Sequence, residues 1–451
     1  MIGFRNYHYG LLNHFSGDTC FFTHEQFSLI EKCDGKHEID LEALSKDENE
    51  FFKWLKDNYF IRENHEDKAL SSKQEYILYN NDYKDSVQLS ITGNCNCKCR
   101  HCFVSAPIRK YRELSLKECI RILDQLKSCG VYKTGLTGGE PLLHPDFKKL
   151  IENMHDRQLV LSTLYTNGIL LDDDILDMFR KYNMSPDIQI SFDGIGTHDW
   201  IRGIEGIEEK AVKAIRKSVD KGFFTHISMV LYKGNKDKLF DNICFLDSLG
   251  VKSIKVSAIE NLGEWQRYND DYGLNDSDVY ETYLQVIPKI INLKPQSTIE
   301  LGGFFTYDHT RNIITSTFEN RCTQENENRF LLCTSLKKSF YINSDGMVYP
   351  CVSMISDDKD EELNVLSFPL QEILDNPKYN NVTGKMAIDF FKANAKCNEC
   401  EYRYQCLGGC RAKAMQNGNG QLGIDQQVCS YYKDGWKKRK DELLSSLINN
   451  Q

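Results

Sequence analysis

Between Ser86 and Ile259 short apolar runs alternate with amphipathic stretches, and this rhythm leaves the chain few possible folds. The runs SVQLSIT (86–92), VYKTGLT (131–137), LVLSTLY (159–165), DIQISF (187–192), FTHISMVLY (224–232) and KSIKVSAI (252–259) have the length and β-branched content of strands. Helical patterns separate them. In SLKECIRILDQLKSCG, Leu116, Cys119, Ile120 and Leu123 share one face and Gly130 is placed to end the helix. Six strand-then-helix units in series predict an α/β fold with a parallel sheet, because parallel neighbours need a crossover between them. The sheet is expected to be either doubly wound or a barrel, complete or partial. In each case chemistry gathers at the carboxyl ends of the strands.

Four unusual segments fall at those ends. GNCNCKCRHC follows the first strand, GGEP (138–141) the second, TNG (166–168) the third and FDG (192–194) the fourth. They predict one site on one rim.

The chain has 451 residues, enough for two or three domains, and its 41% apolar content is that of a globular protein. A net charge of -9 speaks against a nucleic-acid partner. The start, MIGFRNYHYG, lacks the basic-then-apolar plan of a signal peptide, and no apolar run suits a bilayer, so a cytoplasmic location without a membrane partner is expected. Seventeen cysteines are then unexpected, because disulfides are rare in that compartment and the number is odd. They are also clustered, four at 95–102 and five between Cys397 and Cys429, as thiolates converging on metal centres require. Cys20, Cys33, Cys119 and Cys244 read as buried apolar residues. Cys99 and Cys102 form a C-x2-C clamp, and a third ligand could be Cys95 or Cys97. Four thiolates would suit zinc; three would leave one iron of a four-iron cluster open. Spacing alone leaves both readings standing.

The C-x3-C-x2-C array Cys95, Cys99, Cys102, followed after the second strand by Gly138, Gly139, Glu140 and Pro141, resembles the radical S-adenosylmethionine superfamily over residues 86–260. The resemblance implies that these three cysteines ligate a four-iron cluster whose open iron chelates S-adenosylmethionine, with Cys97 as the spare. It also implies a partial (β/α)6 barrel. One-electron reduction would then release a 5′-deoxyadenosyl radical that abstracts hydrogen from a substrate. Gly138 and Gly139 would let backbone approach the ligand, and Glu140 would accept a hydrogen bond from the methionine amino group. By resemblance His101 lies near the adenine, and Ser191, Asp193 and Arg202 (in HDWIRGIEG) are candidates for the carboxylate and ribose. No catalytic acid or base is assigned; Tyr165, His226, Glu260 and Tyr307 fall in or near the expected rim.

The C-terminal array is Cys333, twelve residues, Gly346, four residues, Cys351, then Cys397-x2-Cys400-x5-Cys406-x3-Cys410, and eighteen residues before Cys429. It resembles the SPASM extension, which implies two auxiliary four-iron clusters and three clusters in all. The first would use Cys333, Cys351 and Cys410, with Cys322 as a fourth ligand or an open iron; the second would use Cys397, Cys400, Cys406 and Cys429. Two zinc sites are the competing reading of the thiolates.

Residues 1–85 carry 10 Lys and Arg against 17 Asp and Glu, which suits DNA phosphates poorly. A hairpin turn at Ser16, Gly17 and Asp18, capping boxes at Thr23 and Gln26 and at Ser45 and Glu48, and a closing strand in YFIRE (59–63) predict a winged-helix-like unit. It resembles the PqqD-like leader-recognition domain of maturases of ribosomally made peptides. The expected division is 1–85 for leader recognition, 86–310 for the barrel and 311–451 for the SPASM region. The expected function is thioether or carbon–carbon crosslinking within a precursor peptide, with a flavodoxin- or ferredoxin-type electron donor. Three alternatives compete: a sulfatase maturase, disfavoured by Val352 where that group has an aspartate; a small-molecule radical enzyme; and a zinc-stabilised, non-catalytic peptide-binding protein.

Overall fold

A computed structural model describes residues 5–7, 10–12, 22–36, 38–63, 77–108, 110–311, 313–356 and 359–449. The expected turn at Ser16–Asp18 lies outside them. In the N-terminal part, strand β1 (Arg5–Tyr7) pairs antiparallel with β2 (Gly10–Leu12) and parallel with β3 (Ile77–Leu78). Helices α1 (His24–Ile30) and α2 (Lys46–Asp57) both begin with the expected capping boxes, in which Thr23 pairs with Gln26 and Ser45 with Glu48. The YFIRE segment is not a strand. Tyr59 takes a left-handed φ of 60°, and the Phe60 N–H donates to the Leu55 carbonyl, wrapping the chain back over the end of α2. Phe60 then stacks on Trp54 at 5.3 Å. Aromatic packing under the helix decides this conformation over the β-propensity of the segment.

The main sheet contains the six expected strands: β4 (Ser86–Ser90), β5 (Lys133–Thr137), β6 (Val160–Thr166), β7 (Asp187–Ser191), β8 (Thr225–Leu231) and β9 (Ser253–Ala258). All are parallel in chain order. The rhythm does not stop at residue 262, as the sequence suggests. A helix over Asp276–Leu293 crosses to β10 (Thr298–Leu301), parallel to β9. Pro288 inside that helix and the four-residue strand hide this unit from pattern reading. An antiparallel hairpin, β11 (Phe305–Asp308) and β12 (Ile313–Thr315), finishes that edge. At the other edge β13 (Ser339–Ile342) pairs parallel with β4, and β14 (Val348–Tyr349) folds back on it. The order β12-β11-β10-β9-β8-β7-β6-β5-β4-β13-β14 is that of an open sheet. The β13–β14 turn runs through NSDGM (343–347), whose Asp-Gly pair suits a tight hairpin, with Gly346 at φ 90°.

Period-two burial gives the sheet two unlike faces. Val87, Leu89, Leu136, Leu164, Ile188, Ile190, Ile227, Met229, Ile254 and Val256 are buried in the main core. Helices α3 (Leu116–Ser128), α4 (Phe147–Asp156), α5 (Asp173–Lys181), the short α6 (His198–Arg202), α7 (Ile207–Asp220) and α8 (Leu239–Ser248) connect the strands. In α3 the buried stripe is Cys119, Ile122, Leu123 and Leu126; Ile120 sits at its margin. The other sheet face carries Gln88, Tyr165, Gln189, Ser191, His226 and Ser228, all half-buried. Among the described residues no helix is long and apolar enough to cross a membrane.

Candidate active site

The cysteine loop leaves β4 and is held by backbone on two sides. Gly139 N–H donates to the Thr92 carbonyl (2.7 Å) and Glu140 N–H to that of Asn94 (2.8 Å). A Cβ on Gly139 would lie 2.2 Å from Asn94 O, and one on Gly138 2.5 Å from Thr92 O. The two glycines therefore admit the cysteine loop's own backbone, whereas the sequence suggested approach to a ligand. On the other side Lys98 N–H donates to the Arg202 carbonyl (3.0 Å) and Arg100 N–H to that of Ile201 (2.8 Å), fastening the loop to α6. Gly139→Ala is expected to displace the loop, cost about 1–3 kcal/mol by overpacking, and lower bound iron by about four atoms per chain. A thermal melt and an iron assay on the variant check both.

Three of the loop's sulfurs have donors aimed at them. Cys95 Sγ accepts from the Cys97 amide (3.4 Å) and Asn167 Nδ2 (3.9 Å), Cys99 Sγ from Arg202 Nη1 (3.8 Å), and Cys102 Sγ from the Ala106 amide (3.2 Å). Cys97 is buried, and its thiol is hydrogen-bonded to both Cys95 and Cys99. That contact lowers the Cys95 thiol and, joined by Arg202, brings Cys99 down to about 6; burial pushes Cys102 up to about 12. Among the described residues no three His, Cys, Asp or Glu side chains close to the geometry of a single ion. Three sulfurs on one loop with N–H donors behind them fit the larger body of an iron–sulfur cluster.

Around the loop stand the other rim residues. Glu140 is fully buried, and its carboxylate accepts from Thr166 Oγ1 (2.8 Å), the Asn167 amide (2.8 Å) and the Leu142 amide (3.2 Å). Burial outweighs these bonds and raises its pKa to about 7. Asp193 is also 0% exposed; Oδ1 accepts from the Val230 amide (3.0 Å) and Oδ2 from Arg202 Nε (2.6 Å). Burial works to raise this carboxyl, but Arg202 prevails and holds it far below the ordinary range. Both oxygens are thus taken up by protein, and Asp193 acts through Arg202, which carries the charge on to Cys99. His198 Nδ1 accepts the Asp193 N–H at 3.0 Å, so this imidazole orients the loop. His101 faces the same pair, and burial lowers it to about 3, leaving it neutral with a buried Nδ1 that has no partner among the described residues. Ser191 ends β7 opposite Ser228.

The C-terminal cysteines fall into two groups. Cys333 and Cys351 pack beside Leu336, Met354 and Ala412, and the charge of Cys410 reaches Cys351. Cys397, Cys400, Cys406 and Cys429 neighbour one another, and burial pushes Cys406 up to about 12. Cys322 is buried with Leu332, the neighbour of Cys333 in sequence, and with Phe390, Phe391 and Leu407, and its thiol donates to the Thr323 carbonyl (3.7 Å).

Comparison with known proteins agrees with this arrangement. Residues 89–246 match the radical SAM superfamily, and residues 333–401 match the SPASM iron–sulfur cluster-binding domain. The chain carries a radical SAM domain followed by a SPASM domain. Its relatives include the antilisterial bacteriocin subtilosin biosynthesis protein AlbA of Bacillus subtilis, 22% identical over 76% of the chain and 70% of that protein. Another is the PqqA peptide cyclase of Granulibacter bethesdensis, 23% identical over 75% and 85%. Among solved structures, Streptococcus suis SuiB bound to S-adenosylmethionine superimposes with a TM-score of 0.67 at 15% identity, covering 95% of this chain and 98% of that one. The peptide-bound anSMEcpe structure superimposes with 0.59 at 17% identity, covering 81% and 99%. Both likenesses concern the fold.

Sequence reading missed two residues of this rim. Glu113 holds Thr92 Oγ1 (3.0 Å) and Asn94 Nδ2 (3.2 Å), and Asn235 Nδ2 binds the Asp193 carbonyl (3.0 Å). Neither lies in a recognisable motif. Of the four polar residues noted near the rim, His226 pairs with Asp187 (3.4 Å), the first residue of β7, and so sits toward the amino end of the sheet. Tyr165 OH accepts from Gln88 (2.8 Å), Glu260 pairs with Lys413 (2.5 Å), and Tyr307 is buried on β11.

Proposed function

We propose that this chain is a radical S-adenosylmethionine maturase that crosslinks a ribosomally made precursor peptide. The observation that carries the reading is the convergence of the Cys95, Cys99 and Cys102 loop, the Glu140 loop and Arg202 on one sheet rim. Cys95, Cys99 and Cys102 hold the radical cluster, Cys333, Cys351 and Cys410 a first auxiliary cluster, and Cys397, Cys400, Cys406 and Cys429 a second. With S-adenosylmethionine bound, the radical cluster supplies a one-electron route to breaking an unactivated C–H bond. The protein's part is to orient and enclose: Glu140 takes the methionine amino group, His101 and Ser191 line the nucleoside, and Arg202 neutralises thiolate charge at Cys99. An electron donor of flavodoxin or ferredoxin type serves the clusters.

A peptide substrate is supported by the relatives named for peptide cyclisation and bacteriocin biosynthesis and by SuiB, whose structure includes its precursor peptide. On this reading residues 1–85 bind the leader, 86–310 perform the chemistry and 311–451 carry the auxiliary clusters. Thioether formation is favoured on the reading in which Cys333, Cys351 and Cys410 hold the first auxiliary cluster without Cys322, whose packing with Phe390, Phe391 and Leu407 supports it. A three-cysteine cluster leaves an iron for a substrate thiolate.

The test is an anaerobic incubation with S-adenosylmethionine, dithionite and a short cysteine-containing peptide encoded beside the gene. Expected are 5′-deoxyadenosine and a peptide lighter by two hydrogens, with loss of one free thiol. Formation of 5′-deoxyadenosine with no change in any such peptide would favour a small-molecule substrate.

A further inference from the structure

Cys406 and Cys410 are separated by Leu407, Gly408 and Gly409, all three at left-handed φ (48°, 71° and 73°). Such a run is costly for Leu407 and closed to side chains at the glycines. A Cβ on Gly408 would meet the Phe390 ring at 2.3 Å, and one on Gly409 the Asp425 Cβ at 2.7 Å. What this winding achieves is a ring of carbonyls around one guanidinium. Arg411 is 2% exposed and lies over the Phe390 ring. Its Nη2 donates to the carbonyls of Leu407 (3.3 Å) and Gly409 (2.9 Å), and its Nη1 to those of Gln421 (3.1 Å) and Gly423 (2.9 Å). No carboxylate is among its hydrogen-bond partners. Its charge acts on Cys410, on the buried carboxylate of Asp425, and on Cys406 and Cys333; the three sulfurs belong to both C-terminal groups.

We propose that Arg411 is a shared positioning residue of the two auxiliary clusters, a fixed cation that raises the reduction potential of both. The proposal rests on the assignment of two clusters to these cysteines. Reduction adds one electron, and so one negative charge, to a cluster. A buried cation beside its ligands favours the reduced form, with little screening by salt. Its hydrogen bonds go to neutral carbonyls, and Asp425, the buried carboxylate within reach of its charge, accepts from the Cys410 amide (3.0 Å) rather than from the guanidinium, so Arg411 stays a cation toward both clusters. Lys433 offers a contrast, since it is an exposed cation whose charge reaches Cys400, Cys429 and Cys397, all of the second group.

The experiment is potentiometric titration of the full, anaerobically reconstituted protein, followed by electron paramagnetic resonance with iron assayed in parallel. Wild type, Arg411→Met, Arg411→Lys and Lys433→Met are compared. Arg411→Met should move both auxiliary potentials to more negative values with iron retained. Arg411→Lys should move them less, and Lys433→Met should move only one, and least. The proposal is overturned if both potentials stay at the wild-type values in Arg411→Met, if only one moves, or if both Arg411 variants lose iron. About four irons in wild type, in place of about twelve, would overturn the two-cluster assignment itself.

Discussion

Alanine at Cys95, Cys99 or Cys102 abolishes reductive cleavage of S-adenosylmethionine, whereas Cys97→Ala retains it: this is the expected result of a four-way substitution series. Each of the three is a ligand on the proposed assignment, and a cluster missing one thiolate is lost or unable to chelate. The Cys97 thiol is a hydrogen-bond partner shared by Cys95 and Cys99, a contribution of about 1 kcal/mol. The measurements are 5′-deoxyadenosine under dithionite and iron per chain. Iron should fall from about twelve to about eight in the triple alanine variant. If Cys97→Ala abolishes cleavage while Cys95→Ala spares it, Cys97 is the ligand. About two zincs and little iron in wild type would leave a zinc-stabilised binding protein.

The second large effect concerns stability. Arg202→Leu leaves Asp193 as a buried carboxylate without its cation, at a cost of about 3–5 kcal/mol at neutral pH. In wild type the Asp193 pKa is depressed. The ion pair therefore stabilises above the unfolded value of about 4 and is lost as pH falls through the depressed native value. In the variant, burial acts unopposed by the guanidinium, so the carboxyl takes a proton more readily and the deficit shrinks as pH falls toward about 4. Thermal melts at pH 7 and pH 5 should show the larger deficit at pH 7. The double variant Asp193→Asn with Arg202→Leu should recover much of it. Additive losses would mean that the two side chains are not coupled.

The strands were legible because β4 to β9 each alternate or run apolar between clear turn signals, and the capping boxes at Thr23 and Ser45 read directly as helix starts. The cysteine spacings carried the site. What the sequence hid were interactions between distant segments. The four-residue β10 and β13 are strands by virtue of their neighbours. Nothing near Cys322 in the sequence announces Phe390 and Phe391 as its surroundings. The glycines of GGEP were read for the right property, but only the structure identifies the backbone of residues 92–94 as what they accommodate.

The pairing of β13 with β4 bears on how the chain is made. The two strands meet where Lys84 Nζ donates to the carbonyl of Lys337, 253 residues away in sequence. At about 5–20 residues per second the ribosome needs on the order of tens of seconds to span that distance. Throughout that interval β4 has β5 on one side and an unsatisfied edge on the other, directly beneath the cysteine loop. The nascent protein thus exposes its most oxidisable segment next to its stickiest strand. The edge beneath that loop is completed only when β13 arrives.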